Sequence, residues 1–229
     1  MNFFTLDWKG ALSALLLALC LYFLGVDFGL FLVLDMFYFL VISAVVTYTG
    51  SKAKKKIKVF EKSRSIKNVV ANGMGPLIFA IGIYLYSMLY IKLVLGLFII
   101  GFIGSVAAIT ADKFSSEIGV LDGTPTDIIT LKKIKKGTSG GITLLGLLAG
   151  LLGSLAIALS YFAVAPSLPF NYGIGFSAIA IAGFVGTLAD SLAGHYEELS
   201  IGNKYSSNFI CSIAGGLTAM LIILSAGIV

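Results

Sequence analysis

Histidine and tryptophan each occur once in 229 residues, cysteine twice and proline four times, and only 12% of the chain is charged. Each scarcity excludes something. A lone His195 argues against a histidine-based zinc centre. Cys20 and Cys211 stand in apolar stretches without metal-ligand or disulfide spacing, so both read as small packing residues. The shortage of charge, beside 58% hydrophobic residues, excludes a soluble domain of this size. The short alternating segments of a porin-type barrel are also missing.

What the chain has instead is seven apolar runs, at about 11–26, 30–49, 74–91, 93–111, 141–164, 173–190 and 208–227. Their lengths suit helices crossing a hydrocarbon core of about 30 Å. The expected fold is all-α: a polytopic integral membrane bundle of about seven transmembrane helices, in a single membrane-embedded domain over 1–229. Pro166 and Pro169 mark the turn between the fifth and sixth spans. The first run could pass for a signal-peptide core, but no cleavage site leads from it into a soluble domain, and a retained helix is expected.

Charge sets the orientation. The connection over 50–73 carries Lys52, Lys54, Lys55, Lys56, Lys58, Lys62, Arg64 and Lys67. The connection over 112–140 carries Lys113, Lys132, Lys133, Lys135 and Lys136; a shorter one over 191–207 carries Lys204. With Lys9, 15 of the 16 basic residues fall on one side and Lys92 on the other. The positive-inside rule makes that side cytoplasmic, with the amino terminus inside and the carboxyl terminus outside. Asp27, Asp35 and Lys92 are the charges assigned to the opposite face. A transporter would more often place ionisable groups near the midplane or on both faces.

The polar clusters gather at the cytoplasmic ends. Asp112 and Glu117 leave a glycine-rich span together with Ser115 and Ser116, an oxygen-rich set suited to magnesium. Five residues apart, they lie about 140° apart on a continuous helix and converge only if it ends or bends between them. A solvated loop paired with Lys113 is the plainer reading. Asp190 ends the sixth span, with Glu197 and Glu198 beyond it; these could supply an ion ligand or simply cap the helix.

Lys132 to Gly141 brings lysines up to Gly137-Thr138-Ser139-Gly140-Gly141 just before a long helix. Close-approach glycines, exposed N–H groups and a helix dipole favour phosphate, with Thr138 or Ser139 available as cap. A helix cap beside a positive-inside lysine cluster explains the same residues. Arg64, Lys67, Asn68 and Asn72 form one polar stripe if helical, able to grip phosphate or a base edge or to meet anionic headgroups. For Lys52 to Lys58 the headgroup reading is preferred. Asn203 and Asn208 flank the start of the seventh span.

In order and spacing these segments resemble a DUF92-type membrane family that includes the plant phytyl-phosphate kinase. The matching residues are Asn68-Val69-Val70-Ala71-Asn72-Gly73, Ala111-Asp112-Lys113-Phe114-Ser115-Ser116-Glu117-Ile118-Gly119, Ile129-Thr130-Leu131-Lys132-Lys133, Lys136-Gly137-Thr138-Ser139-Gly140-Gly141-Ile142-Thr143-Leu144-Leu145-Gly146 and Asp190-Ser191. The resemblance runs from about Arg64 to Asn208, with Asp190 standing where many relatives carry Glu.

The resemblance implies a membrane kinase that moves the terminal phosphate of a nucleoside triphosphate, CTP first, onto a phytyl- or geranylgeranyl-type isoprenoid monophosphate. Under it Asp112, Glu117 and Asp190 would be catalytic and hold Mg2+. Lys132, Lys133, Thr138, Ser139, Gly140 and Gly141 would bind phosphate oxygens. Arg64, Lys67, Asn68, Asn72, Asn203 and Asn208 would complete the nucleotide and phosphate contacts. The expected partners are the nucleotide, the isoprenoid monophosphate and the bilayer, with no nucleic acid. The expected location is the cell membrane, with the active site on its cytoplasmic side. A CTP-dependent lipid-phosphate cytidylyltransferase, a small-solute transporter and a non-enzymatic scaffold stay as alternatives.

Overall fold

A computed structural model describes residues 5–60, 65–89 and 91–227. Its helices are α1 (Trp8–Leu24), α2 (Gly29–Tyr48), α3 (Ser51–Lys56), α4 (Ile66–Met88), α5 (Lys92–Gly119), α6 (Leu144–Ala158), α7 (Tyr172–Glu198) and α8 (Lys204–Ser225). Six of these segments are long and apolar enough to cross a membrane, and α1 is a shorter apolar helix of 17 residues. The seven apolar helices expected from the sequence are therefore present.

Local signals start them where side chains can satisfy the orphan N–H groups of a first turn. Asp7 caps α1, Asn171 caps α7 just beyond Pro166 and Pro169, and Asn203 caps α8 in a reciprocal box with Ser206. The long run beginning at 141 behaves differently from expectation. Its helix starts at Leu144, and Thr143 rather than Thr138 or Ser139 is the cap, accepting the Gly146 N–H at 3.0 Å. Gly141 and Ile142 form a two-residue strand, β2 (Gly141–Ile142), antiparallel to β1 (Thr126–Asp127).

α5 is the axis of the bundle. From Ile99 to Ala111 every residue is buried, against α4, α6, α7 and α8. Small residues permit that closeness. A Cβ on Gly104 would sit 2.6 Å from that of Ala219, and one on Gly215 would lie 2.4 Å from that of Ala108. A Cβ on Gly186 would likewise fall 2.4 Å from that of Ala108, so α7 is equally tight on the axis. These small residues thus serve close helix contacts within one chain.

Three helices overrun the ends read from hydropathy. α4 begins at Ile66 and includes Asn68 and Asn72, α5 continues through Asp112 and Glu117 to Gly119, and α7 continues past Asp190 to Glu198. The overrunning end of α5 is met by α3 through Lys54, and that of α7 by the 120–143 connection through Ser139 and Gly140, contacts that hydropathy does not register. Pro76 lies inside α4 and has no N–H, so the carbonyl of Asn72 loses its usual helical donor.

Candidate active site

The overrunning ends of α5 and α7, the start of α8, the loop after α3 and the 120–143 connection enclose a polar cavity of about 490 Å3. Asp112, Glu117, Asp190 and Glu197 line it, together with Lys54, Lys58, Lys113, Lys136 and Lys204. All three of the lysine-bearing connections thus meet at one end of the bundle.

Asp112 and Asp190 approach within hydrogen-bonding reach of each other. Asp190 Oδ1 is buried and has no hydrogen-bond partner among the described residues. Two carboxylates this close repel unless a proton or a cation lies between them. With the hydroxyl-bearing Ser115 and Ser191 on the same wall, the donors are all hard oxygen, and they fit Mg2+, which keeps waters and takes one or two carboxylates plus substrate phosphate.

Glu117 is different. Because α5 is continuous, its side chain leaves the helix about 140° around from that of Asp112. It accepts from Lys54 Nζ at 2.6 Å and from Thr47 Oγ1 at 3.1 Å, and it pairs with Lys113 one turn back. Among the described residues no three of His, Cys, Asp and Glu converge as a metal site. Of the three carboxylates expected to hold Mg2+, Asp112 and Asp190 come together, while Glu117 is engaged by Lys54 and Lys113.

Lys54 was the residue least expected here. Its side chain is fully buried, and its ammonium donates to the carbonyls of Val46 (3.3 Å) and Thr47 (2.8 Å) as well as to Glu117. Those carbonyls end α2, where a cation is favoured by the helix dipole. The headgroup reading of Lys52 to Lys58 fails at this residue, while Lys52, Lys55, Lys56 and Lys58 are exposed.

The glycine-rich turn does reach the cavity, with Gly137 to Gly141 on its wall. Its groups are held by α7: the Ser139 N–H donates to Glu198 Oε1 at 2.9 Å and Ser139 Oγ to Glu197 Oε2 at 3.0 Å. Glu197 also accepts from Ser207 of α8. Gly140 adopts φ +78°, and a Cβ there would meet the His195 nitrogen at 2.7 Å. The turn is thus pressed backbone to backbone on α7.

Asp127 and His195 pin the same loop, and sequence reading singled out neither as a pair. His195 Nδ1 lies 2.8 Å from Asp127 Oδ2, while Asp127 Oδ1 accepts from the Thr130 N–H (2.6 Å), Thr130 Oγ1 (2.8 Å) and the Ile129 N–H (3.1 Å). The Thr130 N–H, then His195, hold the Asp127 carboxyl below the usual carboxylate range. Backbone N–H groups of Gly123 and Leu145 likewise lower that of Asp122.

Several expected phosphate contacts lie elsewhere. Lys132 and Lys133 are exposed outside the cavity, just after Leu131 at φ +56°. Lys133 is bound to Thr124 O and Thr126 Oγ1. Lys67 lies over the Tyr205 ring, 5.8 Å from its centroid, and Asn203 is the α8 cap. Arg64 lies outside the described residues. Asn208 does line the cavity; its Nδ2 donates to Asn72 Oδ1 at 3.1 Å, and Asn72 Nδ2 donates to Asn68 O at 3.0 Å.

The sequence matches the family model described as integral membrane protein DUF92 over residues 2–222. An uncharacterized membrane protein of Methanocaldococcus jannaschii is 37% identical over 227 residues, covering 95% of this chain and 85% of that protein. Protein PGR of Arabidopsis thaliana is 36% identical over 108 residues, 44% of this chain and 38% of its own length. An uncharacterized membrane protein of Synechocystis is 30% identical over 167 residues, 71% of this chain and 58% of that protein. No solved structure gives a significant match. The chain belongs to the DUF92 family of integral membrane proteins.

Proposed function

We propose that the chain is a membrane kinase that transfers the terminal phosphate of a nucleoside triphosphate, CTP first, to an isoprenoid monophosphate. The observation that carries this reading is the Asp112–Asp190 pair, with its unpartnered Asp190 oxygen, in a cavity lined by five lysines. By the positive-inside rule, the lysine-rich connections around that cavity favour a cytoplasmic setting at the cell membrane as part of this reading.

Phosphoryl transfer asks the protein for positioning and charge neutralisation rather than covalent help. Asp112 and Asp190 would hold Mg2+, which when bound neutralises the oxygens of both phosphates. Lys113, Lys136 and Lys204 supply positive charge around the reacting phosphates. A non-bridging oxygen of the lipid monophosphate attacks the terminal phosphorus. The bond from that phosphorus to the bridging oxygen breaks, and the nucleoside diphosphate leaves with the electron pair. The acceptor is already anionic, so no general base is required.

The test is incubation of the purified protein with magnesium, CTP or ATP, and geranylgeranyl or phytyl monophosphate, with products resolved by mass. Prenyl diphosphate with matching nucleoside diphosphate is expected. A CDP-lipid with pyrophosphate would move the same residues to cytidylyl transfer, and no product from folded protein would overturn both.

A further inference from the structure

A second pocket lies beside the polar cavity. It is an apolar groove of about 140 Å3 among α1, α2 and α4, walled by Leu17, Leu21, Met36 and Phe39. At one end its wall turns polar, with Asn68 and Asn72. Asn72 is bound at 3.1 Å to Asn208, which lines the polar cavity with Asp112 and Asp190. A single amide pair therefore separates a hydrocarbon surface from a phosphate-binding one. Beyond the groove, Leu12, Leu15, Leu16 and Leu19 of α1 are exposed and face outward as lipid-contacting residues do.

We propose that this groove seats the first isoprene unit of a single-chain lipid phosphate whose head lies in the polar cavity, an inference that rests on the kinase reading. Size selects the occupant. An apolar cavity of about 150 Å3 takes up one benzene molecule, so a groove of about 140 Å3 accepts one five-carbon unit. The rest of the chain runs out between α1 and α2 into the bilayer. Two consequences follow for specificity. Tail length beyond the first unit is weakly sensed, and a two-chain phosphatidate, which brings two hydrocarbon arms to its head, is excluded.

Binding of tritiated geranylgeranyl monophosphate to the full chain in nanodiscs tests this. Ala18→Trp fills the groove from α1 and should weaken binding at least about tenfold, the scale of losing a hydrophobic pocket contact. Leu19→Trp, on the outer face of α1, should leave it within about twofold. Should Ala18→Trp fail to purify as a folded protein, Ala14→Trp fills the same groove. Dioleoyl phosphatidate should not compete. Unchanged binding in the filled variant, absence of binding in the wild type, or full competition by phosphatidate would each overturn the assignment. Binding that is lost in the filled variant while the wild type makes no diphosphate from CTP leaves the groove standing and removes the kinase reading. A diphosphate made with an unaltered KM for the lipid in the filled variant does the reverse.

Discussion

Lys54 and Glu117 come from segments 63 residues apart and meet at 2.6 Å, with the lysine side chain 1% and the glutamate side chain 12% exposed. The pair ties α3 to the overrunning end of α5. Taking two charges out of water is costly, and a pair this enclosed persists because the ammonium also finds the carbonyls that end α2. Removing one partner should therefore cost far more than an ordinary lysine. Lys54→Ala is expected to destabilise the protein by about 3 kcal/mol, while exposed Lys52→Ala shifts stability by no more than about 0.5 kcal/mol. Thermal unfolding in detergent compares the two; equal midpoints would remove the pair from the account of stability.

Asp112 and Asp190 should behave as a unit. Asp112→Asn and Asp190→Asn are each expected to lower turnover by roughly 100-fold or more, given what metal-site perturbations cost, and the double variant should add little to either alone. Glu117→Gln should instead lower the midpoint of unfolding. Kinetics and unfolding on the same samples separate the two roles, and an active Asp190→Asn protein would displace the pair from the chemistry.

The Asp127 anchor gives stability a pH dependence. Its carboxyl is held below the usual range in the folded protein, so its contribution is complete at neutral pH. That contribution declines as the pH falls below about 4, where the unfolded group protonates. Asp127→Asn should therefore unfold earlier than wild type at pH 7, with the gap beginning to narrow below about pH 4 and continuing to shrink until the folded carboxyl itself protonates. A gap independent of pH would show that the charge is not what matters.

Gly140→Ala places a methyl group 2.7 Å from the His195 nitrogen at a φ of +78°. The strain, about 1–3 kcal/mol, should lift the 120–143 connection from α7 rather than unfold the bundle. Lys132 and Lys133 are exposed on that connection, so limited trypsin cleavage there should accelerate in the variant while the helices resist. Unchanged cleavage would mean that the loop adapts without leaving.

The amides of Asn72 and Asn208 should be coupled. Their single alanine variants are expected to be non-additive by about 0.5 kcal/mol or more in a double-mutant cycle on stability. Strict additivity would indicate that the 3.1 Å contact carries no energy of its own.

Much of this was legible in the residues. Length and apolarity located seven helices, and the lysine-bearing connections and carboxylates do collect at one end. Asp112, Asp190, Asn208 and the glycine-rich turn do line one cavity. The misreadings have a common physical cause, since hydropathy registers lipid contact and not protein contact. It ended α5 at Ala111 and α7 at Asp190 because charges appear there, although the helices go on and find partners in Lys54 and Ser139. The lysine run over 52–58 carries no periodicity that marks Lys54 apart from its neighbours. Asp127 and His195 are 68 residues apart, and a pair at that separation leaves no trace in a linear pattern. Lys133 is taken up by Thr124 and Thr126, in a turn that the spacing of the lysines does not announce.

Bilayer thickness would not act evenly on this molecule. α5 is sheathed by its neighbours, and the carboxylates at its end are insulated from the lipid around the bundle. α1 is peripheral and, at 17 residues, spans about 26 Å at 1.5 Å per residue, short of a hydrocarbon core of about 30 Å. Hydrophobic mismatch would fall first on the helix that walls the apolar groove, so a thicker membrane would change how the chain holds a hydrocarbon before it touched the acidic pair.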